Sequence, residues 1–168
     1  MKAKSRDLAL IATVAALYTV LVWALAGISF QLVQVRVADA LIPLSMVFGW
    51  PVILGVTMGC VVANVATPMP SGWADITLGS IANFVASLLA LKIGNWKLTN
   101  DTISEFLGCI TATAAVTFIV GTYLAIITEM ELWVWWLGIG VGSIVSITVL
   151  GFALVKMIKK VLTKTKVT

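Results

Sequence analysis

No histidine occurs among the 168 residues, and only 11% of them are charged. Without imidazole the chain has no serine–histidine relay, no HExxH zinc site and no side chain that ordinarily titrates near neutrality. A soluble domain carries about 25% charge, so an ordinary soluble fold is excluded as well. The two cysteines, Cys60 and Cys109, both fall within apolar runs. Two thiols so placed make neither a disulfide framework nor a metal motif, and they read as small buried hydrophobes. G-x-S-x-G and Walker A patterns are also missing, which argues against a hydrolase and against ATP-driven transport by this chain alone, while a self-contained small transporter or channel stays open. The chain is not read as an enzyme, and no cofactor or metal is expected.

What is present is hydrocarbon. Hydrophobic residues make up 61% of the sequence, with a mean hydropathy of +1.10, which indicates an all-α polytopic membrane protein. Apolar segments at about 8–28, 37–49, 51–67, 73–93, 105–127 and 132–157 predict six transmembrane helices in one bundle, a single domain over residues 1–168. Gly49-Trp50-Pro51 separates the second from the third, because proline removes a donor and turns the preceding residue away from helix. Pro43 predicts a kinked or irregular second span. The run from Leu8 to Ala26 ends in a sequence that imitates a signal-peptidase site, Ala24-Leu25-Ala26. It exceeds the 7–15 apolar residues typical of a signal peptide and suits the roughly 20 of a span.

Charge supports an even number of spans. With both termini cytoplasmic, ten of the eleven lysines and arginines lie inside, at positions 2, 4, 6, 92, 97, 156, 159, 160, 164 and 166. Only Arg36 is left outside, beside Asp39, Asp75, Glu129 and Glu131, as the positive-inside rule requires. The net charge of +4 therefore describes topology in a cell membrane, and no basic face interleaved with aromatics suggests nucleic acid. Asn100-Asp101-Thr102 matches a glycosylation sequon, but on the cytoplasmic side it is a chance match. Trp73, Trp133, Trp135, Trp136 and Tyr123 gather at the outer level as an aromatic belt, from which one or two could stack on a planar ligand.

Polar residues within the apolar segments point to a site. The stretch Ser29 to Ala40 interrupts the first two spans and is read as the lid and part of the wall. Asp75, Gly79, Asn83 and Ser87 follow at four-residue steps, which places them near one helix face descending from the outer rim. Asn64 and Thr67 reach the same level from the third span, and Thr113 and Thr117 from the fifth unless they bond back to their own helix. Gln31, Gln34, Arg36, Asp39, Asn64, Asp75 and Asn83 thus make a rim and pocket open to the outside. An Asp or Arg in lipid costs on the order of 3 kcal/mol on insertion scales, so such a set implies a ligand or at least an ion pair of Arg36 with Asp39 or Asp75. Small residues also recur at four-residue spacing, at Ala12 and Ala16, Gly55 and Gly59, and Gly138 and Gly142. These spacings suit close packing of helices within the bundle or docking of another membrane subunit, with the first span the best candidate for docking.

Three stretches carry a resemblance: Leu10 to Leu21 followed by Ile28-Ser29-Phe30, then Val35-Arg36-Val37-Ala38-Asp39-Ala40-Leu41, then Gly55 to Asn64, continued by Asp75-Ile76-Thr77-Leu78-Gly79-Ser80. Over residues 8 to 92 the chain resembles the QueT family. These are substrate-binding S components of energy-coupling factor (ECF) transporters assigned to queuosine precursors. The family usually has glutamate where this chain has Asp39, a carboxylate shorter by one methylene. The resemblance implies a six-helix S component that captures a 7-deazaguanine such as preQ0 or preQ1 beneath the loop between its first two helices. It also implies docking on a transmembrane T subunit through Ala12 and Ala16, with two cytoplasmic ATPase subunits supplying the energy. A 7-deazaguanine edge offers two adjacent donors and a carbonyl, which suits Asp39 or Asp75 for the donors and Arg36, Gln34 or Asn64 for the acceptor.

Overall fold

The computed structural model describes residues 5–29, 34–65, 72–96 and 100–165. Among the described residues there is no strand, and the helices occupy the six apolar segments. They are α1 Ser5–Ala24, α2 Val37–Phe48, α3 Trp50–Val65, α4 Asp75–Gly94, α5 Asp101–Thr128 and α6 Leu132–Thr165. A short helical turn, Ala26–Ser29, follows α1.

Four of these, α1, α4, α5 and α6, are long and apolar enough to cross a membrane. The other two, at the second and third expected spans, are short. α2 is 8 residues of 3-10 helix followed by 4 of α-helix, with Pro43 inside its tight part. At about 2.0 Å per residue that geometry reaches further along its axis than an α-helix of equal length. It ends at Gly49, whose φ of 71° an L side chain adopts with strain, and α3 starts at the next residue.

Successive contacts fix the directions of the helices. Tyr123 of α5 meets Asp75 of α4, and Glu105 near the start of α5 meets Lys156 and Lys159 near the end of α6, so both neighbouring pairs run antiparallel. α1 and α3 run parallel and very close. A Cβ on Gly59 would come within 2.8 Å of both the Ala15 carbonyl and the Tyr18 Cβ, and one on Gly55 within 2.7 Å of the Val14 Cβ. The Gly55 and Gly59 pair is therefore an internal packing device. Its approach lets the Thr19 hydroxyl donate to the Gly59 carbonyl at 3.2 Å and Trp23 Nε1 to the Ala63 carbonyl at 3.3 Å. Inside the bundle α4 presents Ala82, Ala86 and Ala90, all fully buried, while Leu17, Val20, Leu54, Met58, Val62 and Phe118 point outward. Apolar side chains on the outside are what a lipid-facing surface requires.

At the end of the bundle where α5 begins, Glu105 is only 2% exposed and holds two lysines of α6, each at 2.6 Å. Lys156 also donates to Thr102 Oγ1 at 2.7 Å. A carboxylate shared by two ammonium groups spreads one buried charge over several bonds and ties the C-terminal half of α6 to α5.

Gly59→Val is expected to force α1 and α3 apart and to lower stability by about 1–3 kcal/mol, the usual range for overpacking. Thermal unfolding of the purified protein in detergent checks this, and an unchanged midpoint contradicts the close α1–α3 contact.

Candidate functional site

At the opposite end from Glu105, five helices converge on a buried polar cluster. Arg36 is 6% exposed, Asp39 and Asn64 4%, and Asp75 and Asn83 2%. The rim expected to lie open is therefore interior, for a simple reason: charges that cannot face lipid lower their energy by burying together. One guanidinium shares this interior with two carboxylates.

Each member is placed by its own element. Arg36 immediately precedes α2 in extended conformation, which turns its side chain inward while Asp39 lies in the first turn. Arg36 Nη1 lies 3.8 Å from the Cys60 sulfur of α3, and Asn64, one turn further on, donates to the same sulfur at 3.4 Å. Asn64 Nδ2 also donates to the Asp75 backbone carbonyl at 2.7 Å, whereas its side-chain oxygen has no hydrogen-bond partner among the described residues. α4 opens with a wide π-helical turn, Asp75–Gly79, a departure from α-helix often found at functional sites. The expected stripe survives it: Asp75, Gly79, Asn83 and Ser87 are all buried.

Two tyrosines complete the cluster, and sequence reasoning missed both. Tyr18 of α1 is fully buried and donates to Asp39 Oδ1 at 2.6 Å, while Asn83 Nδ2 donates to the Tyr18 hydroxyl at 2.8 Å. Tyr123 of α5 donates to Asp75 Oδ1 at 2.5 Å. It is 7% exposed and belongs to this interior, not to the aromatic belt, where Trp73 and Trp133 are 82% and 61% exposed. The available signal was their rarity. These are the chain's two tyrosines, and each stands in an apolar run where a phenylalanine would be less costly to bury.

Gln34, Arg36, Asp39 and Asn83 line one cavity together with Val116 and Val120 of α5 and Ile139 and Ser143 of α6. Asn64 and Asp75 do not line this cavity; Asn64 meets Arg36 of its wall at Cys60, and Asp75 is held by Tyr123. The cavity measures about 10 Å³, the volume of one water, whereas small-molecule pockets typically run from about 300 Å³ upward. Access for anything larger requires a wall to move. The Gln34–Arg36 segment rests directly on α6, where a Cβ at Gly142 would overlap the Gln34 carbonyl. Thr113 bonds across to Thr148 of α6 at 2.8 Å, not back along its own helix. Gln31, Thr67 and residues 30–33 of the proposed lid lie outside the described residues. Ala12 and Ala16 are not part of the cluster and stand exposed on the outer face of α1.

The arrangement is a buried hydrogen-bonding cluster inside an apolar bundle. The model of a family described as QueT transporter matches residues 8–160. The chain belongs to the QueT transporter family. It is accordingly a multi-pass membrane transporter protein and not an enzyme, with a small-molecule substrate. No curated protein and no solved structure gives a significant match. In this QueT chain the family match runs through all six helices, beyond the region that the resemblance covers.

Gly142→Ala is expected to lift the Gln34–Arg36 segment from α6 and to expose Cys60. In a Cys109→Ala background, maleimide labelling of Cys60 should rise at least about tenfold, as local opening becomes more populated. Equal labelling rates would show that α6 does not hold this wall shut.

Proposed function

We propose that this chain is the substrate-binding S component of an ECF-type uptake transporter and that its substrate is a queuosine or archaeosine precursor, a 7-deazaguanine such as preQ0 or preQ1. The observation that carries the reading is the convergence of Arg36, Asp39, Asn83 and Gln34 on a single cavity in a chain that is otherwise apolar. Such a set meets a planar heterocycle edge on its own terms. Asp39 accepts from adjacent N–H groups, and Arg36 or Gln34 donates to a carbonyl. Asp75 and Asn64 support this wall from behind, and the Asn64 carbonyl is a further acceptor when the pocket widens.

Coupling to energy comes from elsewhere in the reading. The chain lacks a nucleotide-binding motif, so a transmembrane T subunit and two cytoplasmic ATPase subunits supply the work. Ala12 and Ala16 suit docking on the T subunit because they are exposed, small and one turn apart, which lets a second helix backbone approach closely. The lysine-rich end of α6 and the start of α1 lie at the same end of the bundle, and the positive-inside rule puts that end in the cytoplasm with both termini. The tyrosine-bound cluster then faces the outer half of the bilayer.

Two experiments test this. Arg36→Ala should weaken binding of a 7-deazaguanine at least about a hundredfold, the scale of a lost charged hydrogen bond of roughly 3 kcal/mol, and Asp75→Asn, which acts only through the supporting wall, at least about tenfold. Titration of the intrinsic tryptophan fluorescence measures it, and wild-type affinity in both variants would reject the site. Ala12→Trp should leave that affinity unchanged but abolish uptake in cells that supply the T and ATPase subunits. Continued co-purification of the variant with the T subunit would reject the docking face.

A further inference from the structure

Of the two buried tyrosines, Tyr18 has the more constrained chemistry. A phenol has one proton to give and an oxygen that can also accept. The Tyr18 oxygen lies 2.6 Å from Asp39 Oδ1 and 2.8 Å from the Asn83 amide nitrogen. Asp39 as a carboxylate can only accept, so the single proton goes to it. Asn83 must then turn its NH2 toward Tyr18, because its carbonyl there would face an oxygen with no proton left to offer. Tyr18 is fully buried and its two partners are nearly so, and solvent does not scramble this order.

We propose that Tyr18 is a positioning residue that carries a fixed hydrogen-bond polarity from Asn83 on α4 to Asp39 on α2, so that Asp39 offers the cavity an acceptor and selects ligands with N–H donors at that point. This rests on the reading of the cavity as the ligand site. Asp39 has one oxygen engaged by Tyr18 and lines the cavity with the rest of its carboxylate. A ligand bringing a carbonyl to the same place sets acceptor against acceptor, and one lacking the donor leaves the carboxylate short of a partner. The adjacent N–H and NH2 of a guanine-type edge satisfy it.

The polarity can be reversed by exchange, which provides the test. In Asn83→Asp the Tyr18 hydroxyl faces two acceptors with one proton. In the double variant Asp39→Asn, Asn83→Asp the chain runs backward with every bond re-formed: the amide at position 39 gives its N–H to Tyr18 and keeps its carbonyl toward the cavity. Full-length variants in detergent are titrated with 7-deazaguanine and with 7-deazahypoxanthine, which lacks the exocyclic amine, and their thermal midpoints are recorded without ligand. The wild type should prefer 7-deazaguanine by about 10- to 100-fold, the scale of a good directional pairing. Asn83→Asp should lose affinity at least about tenfold and lower the midpoint, while the double variant should recover both to within about threefold with the same preference. Adding Tyr18→Phe, which keeps the ring, should abolish the recovery.

A double variant no better than Asn83→Asp, or a recovery that survives Tyr18→Phe, overturns the relay. If the midpoints fall and recover as described but the wild type binds neither base, the relay stands and the substrate reading fails. If the wild type binds 7-deazaguanine and the exchange restores neither affinity nor midpoint, the relay fails and the substrate reading stands.

Discussion

The rest of this structure depends on keeping one arginine and two aspartates out of hydrocarbon. The side-chain bonds described for that set reach other helices. Asp39 needs Tyr18 from α1, Asp75 needs Tyr123 from α5, and Arg36 and Asn64 meet at Cys60 of α3. Apart from the Asn64–Cys60 contact within α3, each bond fixes two elements relative to one another, and together with the Asn64 bond to the Asp75 carbonyl they link α1 to α5. In lipid this matters more than in water, because the tails outside are as apolar as the leucines they touch and do not favour one arrangement of helices over another.

Two other devices complement the cluster, and each acts away from it. Along the shared length of α1 and α3, missing side chains at Gly55 and Gly59 allow backbone-level contact, which brings Tyr18 to the depth where Asp39 waits. At the far end of the bundle the Glu105 clamp joins α5 to α6. The bundle is thus fastened at both ends by charge and along its middle by close packing. The end with the tyrosines contains the cavity, and the other contains the clamp.

The helices were legible in the sequence because hydropathy and a few punctuating residues define them. Gly49-Trp50-Pro51 marked the α2–α3 break, and the four-residue step of Asp75, Gly79, Asn83 and Ser87 predicted one buried face. That face survives the π-helical turn since all four residues remain on the interior side. Other features were not legible because they depend on which distant residues meet. Tyr18 and Asp39 are 21 positions apart and Tyr123 and Asp75 are 48 apart, and no local pattern announces such pairs. The same holds for Glu105 and Lys159, 54 positions apart. Arg36 looked like a rim charge because a hydropathy profile shows its position between spans but not the inward turn of the extended backbone before α2. That α2 is short was legible, but its 3-10 geometry is not encoded in composition beyond the hint of Pro43.

The cavity of about 10 Å³ has a kinetic meaning as well as a geometric one. A protein that binds only from an open minority form shows an apparent dissociation constant equal to the intrinsic one divided by the open fraction. A closed resting wall therefore weakens capture but lengthens retention once ligand is inside, because escape must wait for the same rare opening. Residence time is therefore the quantity that such a wall sets in a transporter. The glycine under the Gln34 carbonyl is, in that sense, a timer.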